Sequence, residues 1–196
     1  MKKIERVLIV PFLIGIVLYL FNLPGGSFIV VLSLGLLSMF YFSCSVPLFN
    51  EDPLKSASVM NIGVCIGIGL SLSTLIMGIL FKLMMWKSDF ELLLSGVVGL
   101  AISMTAAIYW IKKDNNVIFK RLAKRVIPFG ILGLTLFLLP QKSLYNWHFS
   151  DHPEYLDARL KLDQNPNDTT SLRIVDEFEK EMLERERKKE EESKAK

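Results

Sequence analysis

Forty-four consecutive residues, 7–50, contain no Asp, Glu, Lys or Arg. A soluble core does not require such a run. A hydrocarbon slab about 30 Å thick requires roughly 20 mostly apolar residues for each helical crossing. The run is therefore long enough for two crossings, and Pro24-Gly25-Gly26 divides it. Proline removes a backbone donor and glycine admits positive φ, so a tight turn belongs there. Three more uncharged runs follow, at 56–81, 92–111 and 126–141. The pattern predicts an all-α, multi-pass membrane bundle of four to five transmembrane helices: two tandem hairpins plus a fifth short helix. The helices are expected near 7–23, 27–45, 58–81, 90–111 and 126–140. A membrane domain then covers 1–144 and a polar helical tail 145–196, its end frayed or disordered.

The two hairpins resemble each other. An offset of 63 residues places Gly15 on Gly78, Ile16 on Ile79 and Leu20 on Leu83. The segments concerned are 15–41 and 78–104. Their turns hold Pro24, Gly25 and Gly26 in the first copy and Trp86 and Lys87 in the second. Parallel repeats of this kind are a recognised way of building membrane bundles.

Basic residues orient the bundle, because they favour the cytoplasmic side. With the N-terminus inside, the inner side holds Lys2, Lys3, Arg6, Lys55, Lys112, Lys113, Lys120, Arg121, Lys124 and Arg125. The outer side near the helices holds only Lys82, Lys87 and Lys142. Five crossings place the tail in the periplasm; four would leave it in the cytoplasm. The apolar run 126–139 is short for a crossing, so its flanking Lys124 and Arg125 are expected to snorkel. The N-terminus resembles a signal peptide, but the apolar run continues without a small-residue cleavage site, which predicts an uncleaved first helix. Residues 1–150 carry 13 basic and 6 acidic side chains, and residues 151–196 carry 10 and 14. The net +3 is thus a sum of opposite ends, and its positive share lies beside apolar runs. It gives no reason to expect a nucleic-acid partner. Cys44 and Cys65 fall within or beside apolar runs and read as buried thiols, although their positions also permit a disulfide.

Small residues recur at four-residue spacing as Gly63, Gly67 and Ser71 on the third helix, and as Ser95, Gly99 and Ser103 on the fourth. Each trio forms a face that admits close helix packing, within the bundle or between copies. No ionisable residue falls at the middle of a span. Lys82, Asp89 and Glu91 lie at outer helix ends, Lys82 placed to snorkel. That pattern argues against a proton path. His148, Asp151, His152 and Glu154 form a cluster, but Pro153 interrupts it and there is no HExxH, so no metal site is assigned. GxxxxGK[ST], CxxC and GxSxG are absent, and no catalytic or cofactor-binding residue is expected. In the tail, Thr169 or Thr170 is placed to cap a helix running to about Arg187. Its stripe of Leu172, Val175, Phe178 and Met182 suits a partner.

The segment Gly78-Ile79-Leu80-Phe81-Lys82-Leu83-Met84-Met85-Trp86, with Leu92-Leu93-Leu94 and Gly96, resembles the N-terminal membrane hairpin of GldL, the gliding-motility and type IX secretion motor family. That family carries G-A-L-F-K-I-x-H-W-P-G at its turn. Here Met85 replaces the histidine and Lys87-Ser88 replaces Pro-Gly. The first copy keeps Pro24-Gly25 but has Asn22-Leu23 for His-Trp. The family's intramembrane glutamate aligns at or beside Leu100, and Leu37 stands there in the first copy. Leucine exchanges no proton, so the motor activity does not carry over. The resemblance implies a small relative in a bacterial inner membrane. The expected role is a non-enzymatic assembly or accessory subunit, bound to a membrane protein or to its own copies. The alternative is a small transporter or channel with a path between the hairpins near Ser71, Thr74 and Ser103.

Overall fold

The structure is a computed structural model that describes residues 2–21, 23, 25–45, 59–111, 116–148, 152–165 and 167–194. Among these residues the chain is all-α and has no strand. Helices α1 (Lys2–Leu20), α2 (Gly26–Ser43), α3 (Val59–Leu83), α4 (Asp89–Ala106) and α5 (Asn116–Leu138) make one compact unit, 1–139. A π-helical turn, Ala107–Ile111, continues α4. Three segments are long and apolar enough to cross a membrane: Gly26–Ser43, Ile62–Leu83 and Asp89–Tyr109. The apolar part of α1, Val7–Leu20, is shorter. Exposed Val10, Leu13, Phe28, Met39, Ile102 and Ile131 give the bundle an apolar exterior, as lipid in place of water demands.

The repeat seen in the sequence recurs in the backbone. Phe21 N–H donates to Val17 O, and Met84 to Leu80; Leu23 donates to Leu18, and Trp86 to Phe81; Ile29 donates to Gly25, and Leu92 to Ser88. Each second bond is the first advanced by 63 residues. The residue before each second helix is left-handed, Gly25 at φ 84° and Ser88 at φ 69°. Two different sequences thus make one turn, and in the second copy Ser88 takes a conformation that glycine adopts without strain. Pro24 and Asn22 lie outside the described residues. Trp86 and Lys87 are exposed, with the Trp86 ring edge-on to Phe81 at 5.1 Å.

Close backbone approach holds each hairpin. A Cβ on Gly78 would stand 2.7 Å from Leu93 N, and one on Gly15 would stand 3.1 Å from Val30 N. These are again equivalent positions. Gly96 is tighter still, since its Cβ would meet Leu75 Cα at 2.6 Å. Helix α3 packs on α2, α4 and α5 and forms the centre of the unit. Ser38 Oγ donates to Ser73 O at 3.1 Å across the α2–α3 seam.

The helix expected over 126–140 begins at Asn116 instead. Its basic first half continues the helix because Leu122 and Val126 are buried while Lys120 and Lys124 face out. Pro128 therefore sits in the helix interior. Helix α5 runs the length of the bundle. Arg125 meets Glu5 at one end, and Phe137 stacks on Phe90 at the other, 5.4 Å between centroids.

Residues 140–196 form a second unit with its own small core. It comprises α6 (Gln141–His148), α7 (Pro153–Gln164) and α8 (Thr169–Lys194). Val175 of α8 is buried with Tyr155 and Ala158 of α7. Phe178 stacks on Tyr155 at 4.3 Å. Asp168, not Thr169 or Thr170, caps α8: its Oδ1 accepts from Thr170 N at 3.1 Å and its Oδ2 from Ser171 Oγ at 2.7 Å. The Ser171 hydroxyl holds the Asp168 carboxyl below its ordinary range. A carboxylate accepts amide donors better than a threonine hydroxyl does. Helix α8 continues to Lys194, past the expected end near Arg187.

The glycine contacts yield a test. Gly96→Ala drives a methyl into the Leu75 backbone and is expected to cost about 1–3 kcal/mol. Gly63→Ala meets nothing within 4 Å and is expected to be neutral or slightly stabilising through helix propensity. Unfolding midpoints in mixed detergent micelles compare the two; equal effects would contradict the packing described.

Candidate functional site

Glu5 lies in the first turn of α1 and is buried, with its residue 8% exposed. A carboxylate withdrawn from water needs charge-assisted partners. Arg125 of α5 supplies them: Nε lies 2.9 Å from Oε1 and 3.0 Å from Oε2, and Nη2 lies 2.9 Å from Oε2. Tyr41, at the end of α2 and fully buried, donates its hydroxyl to Glu5 Oε1 at 2.6 Å. Its ring meets Phe129 edge-on at 6.0 Å. Three helices thus converge on one carboxylate.

A second buried ion pair closes the opposite end. Lys82 Nζ lies 3.0 Å from Asp89 Oδ2 across the α3–α4 turn. The approach is a charge contact without a directed hydrogen bond, since Oδ2 has no hydrogen-bond partner. Lys82 therefore turns inward instead of snorkelling. Asp89 opens α4, where the helix dipole favours an acid. The same end holds Tyr19, whose hydroxyl donates to the Leu83 carbonyl. From Glu5 to Tyr19 along α1 is about 21 Å, and from Arg125 to Phe137 along α5 about 18 Å. Both ion pairs would fall inside the edges of a slab about 30 Å thick.

Beside the Glu5 cluster runs a groove of about 650 Å³, walled by α1, α2 and α5. Ile9, Phe12 and Leu13 form one wall, and Pro128, Phe129 and Leu132 the other; Lys124 stands with Arg125 at the charged end. The repeat supplies a counterpart. A smaller cavity of about 350 Å³ lies between the second hairpin and the other side of α5. Leu75 and Met104 line it, and they are the 63-residue equivalents of Phe12 and Tyr41. Position 5 corresponds to Ile68, a buried core residue. The first copy is therefore polar where the second is apolar.

Of the small-residue faces, the structure brings four positions together. A Cβ on Gly99 would meet Ser71 Oγ at 2.7 Å, and one on Gly67 would meet Ser103 Oγ at 3.3 Å. Ser71 also donates to Gly67 O at 2.8 Å. Gly63 and Ser95 are exposed and stand apart from that contact. Thr74 and Thr105 donate to their own helix backbone. Cys44 and Cys65 are both free. In the tail, Val175 and Phe178 pack on α7 rather than facing outward, whereas Leu172 and Met182 remain exposed. The His152 ring packs on Phe178 at 4.7 Å. The side chains of His148 and Asp151 lie outside the described residues.

Sequence reasoning missed Glu5 and expected Arg125 to snorkel, whereas Glu5 draws it inward. Glu5 sits between Lys3 and Arg6 and looks like an interfacial charge, and Arg125 belongs to a basic run. One signal was available. Tyr41 is a hydroxyl-bearing aromatic near the C-terminal end of an uncharged helix, and such a group seeks a partner when buried.

Compared with protein-family models, with curated proteins and with solved structures, the chain matches none.

Arg125→Ala leaves the Glu5 carboxylate buried and alone, an expected loss of about 3–5 kcal/mol. The triple change Glu5→Leu, Tyr41→Phe, Arg125→Met removes every member together and is expected to cost far less. Unfolding in mixed micelles measures both. A triple variant as unstable as Arg125→Ala would contradict the coupling.

Proposed function

We propose that this chain is a non-catalytic, multi-pass subunit of a bacterial inner membrane that assembles with a membrane-protein partner through its tail. The observation that carries this reading is the length of α8. Its 26 residues extend about 39 Å, against about 18 Å for the 12-residue α7 that covers it. The packing on α7 involves Val175, Phe178 and Glu179, the last through Arg159 at 3.2 Å. Beyond them Met182 and Leu183 are exposed on a charged helix. A half-covered amphipathic helix is a common means of engaging another protein.

The bundle suits a static support. Its buried charges are tied in pairs at both ends, and Ser71 and Ser103, expected beside a path, instead meet each other within the second hairpin, Oγ to Oγ 3.4 Å. The kinship with the gliding-motility motor family belongs to this proposal. The shared feature would be the hairpin turn, with buried Leu37 and Leu100 in place of an acid that carries protons. The run of α5 from end to end supports a fifth crossing and a periplasmic tail.

Two measurements test the reading. Affinity capture from detergent-solubilised membranes is expected to recover a partner with the full chain and to lose it when residues 180–196 are removed. Recovery that is indifferent to the truncation would overturn the tail's role. Alkaline phosphatase fused after Lys196 is expected to be active; an inactive fusion that remains cytoplasmic would reverse the topology.

A further inference from the structure

We propose that the groove between α1, α2 and α5 seats an anionic phospholipid, its phosphate on Lys124 and one acyl chain along Phe12 and Phe129 toward Leu132. The charge balance at the groove's head points to an anion. Arg125 and Tyr41 use the Glu5 carboxylate fully, so Glu5 and Arg125 cancel. Lys124 is exposed, and among the described residues no carboxylate pairs with it, which leaves the groove head with one net positive charge. Pro128 lacks an N–H, so the Lys124 carbonyl has no donor four residues on. The Lys124 cation stands at that end of the groove, matching the phosphate of an anionic lipid.

The body of the groove suits a chain. From Lys124 to Leu132 is about 12 Å along α5, and the walls between are Ile9, Phe12, Leu13, Pro128, Phe129 and Leu132. The volume of about 650 Å³ lies in the range of pockets that hold ligands of moderate size. Basic pockets between membrane helices on the cytoplasmic side are a known setting for anionic headgroups.

A second copy of the chain fits this side of α1 poorly. Among the described residues the α2–α3 seam is the main hairpin-to-hairpin joint and serves as the template. It needs Gly69, where a Cβ would stand 3.0 Å from the Tyr41 carbonyl. The equivalent position in α1 is Arg6, so the glycine on which that approach depends is missing there.

The test uses the full chain in detergent with added phosphatidylglycerol or phosphatidylcholine of identical acyl chains, read by native mass spectrometry and thermal shift. Wild type is expected to retain phosphatidylglycerol about five-fold better, the size of effect one lysine gives at an anionic surface. Lys124→Gln is expected to lose that preference with an unchanged melting point in detergent alone. Phe12→Ala is expected to weaken retention of both lipids. Equal retention of the two lipids by wild type, or an undiminished preference in Lys124→Gln, would overturn the proposal. A dimer without lipid preference would also overturn it, by showing that a second copy fills the groove.

Discussion

A carboxylate shielded from water must be answered by charge, and here the answer determines how the bundle closes. Glu5 is held by Arg125 from a helix 120 residues away in sequence and by Tyr41 from a third helix. That requirement fixes the lateral position and the axial height of α5. With Arg125 set at the Glu5 level, Phe137 comes to the level of Phe90, and the helix bridges both ends although its apolar stretch is short. Such a pair contributes little net stability when compared with apolar packing. Its effect is to specify one arrangement: a shift of α5 by one turn would leave two charges unpaired near hydrocarbon.

The hairpins show how much sequence one backbone solution tolerates. Gly25 and Ser88 both take left-handed φ, and three flanking hydrogen bonds recur at equivalent positions. The ends of the two turns are nonetheless secured differently. In the first, Gly26 lets α2 approach the Tyr19 backbone, where a Cβ would stand 2.6 Å from Tyr19 N. In the second, the equivalent positions are Asp89 and Lys82, and an ion pair joins them. Steric closeness and charge are alternative fastenings at one site.

The helical class, the hairpin turns and the 63-residue offset could be read from the sequence because they depend on local composition: uncharged length, turn residues and spacing. The tightest contacts could not be read in the same way. Gly67, Ser71, Gly99 and Ser103 do meet, but Gly78 and Gly96 approach backbone more closely and belong to no small-residue trio. The extent of α5 was hidden because Lys120, Arg121, Lys124 and Arg125 resemble a loop until Leu122 and Val126 are seen to be buried. The ion pair was hidden for a deeper reason. Nothing in local sequence links position 5 to position 125; only the tertiary path does. In the tail, the Val175 and Phe178 stripe indicated a buried face but could not say that α7 would be the one to bury it.

Same-sense duplication carries a hazard. When one hairpin docks on the next without a symmetry axis that closes the pair, the joint can in principle repeat without limit and yield filaments. The amino acids at the two outward ends oppose this. Ser38 and Ser73 bond across the internal joint, whereas their counterparts are Ala101, which faces α5 across a cavity, and Val10, and Ile108 stands in for Ser45. Residue 6 is arginine where residue 69 is glycine, so the glycine that admits close approach at the internal joint is not offered a second time at the outward end.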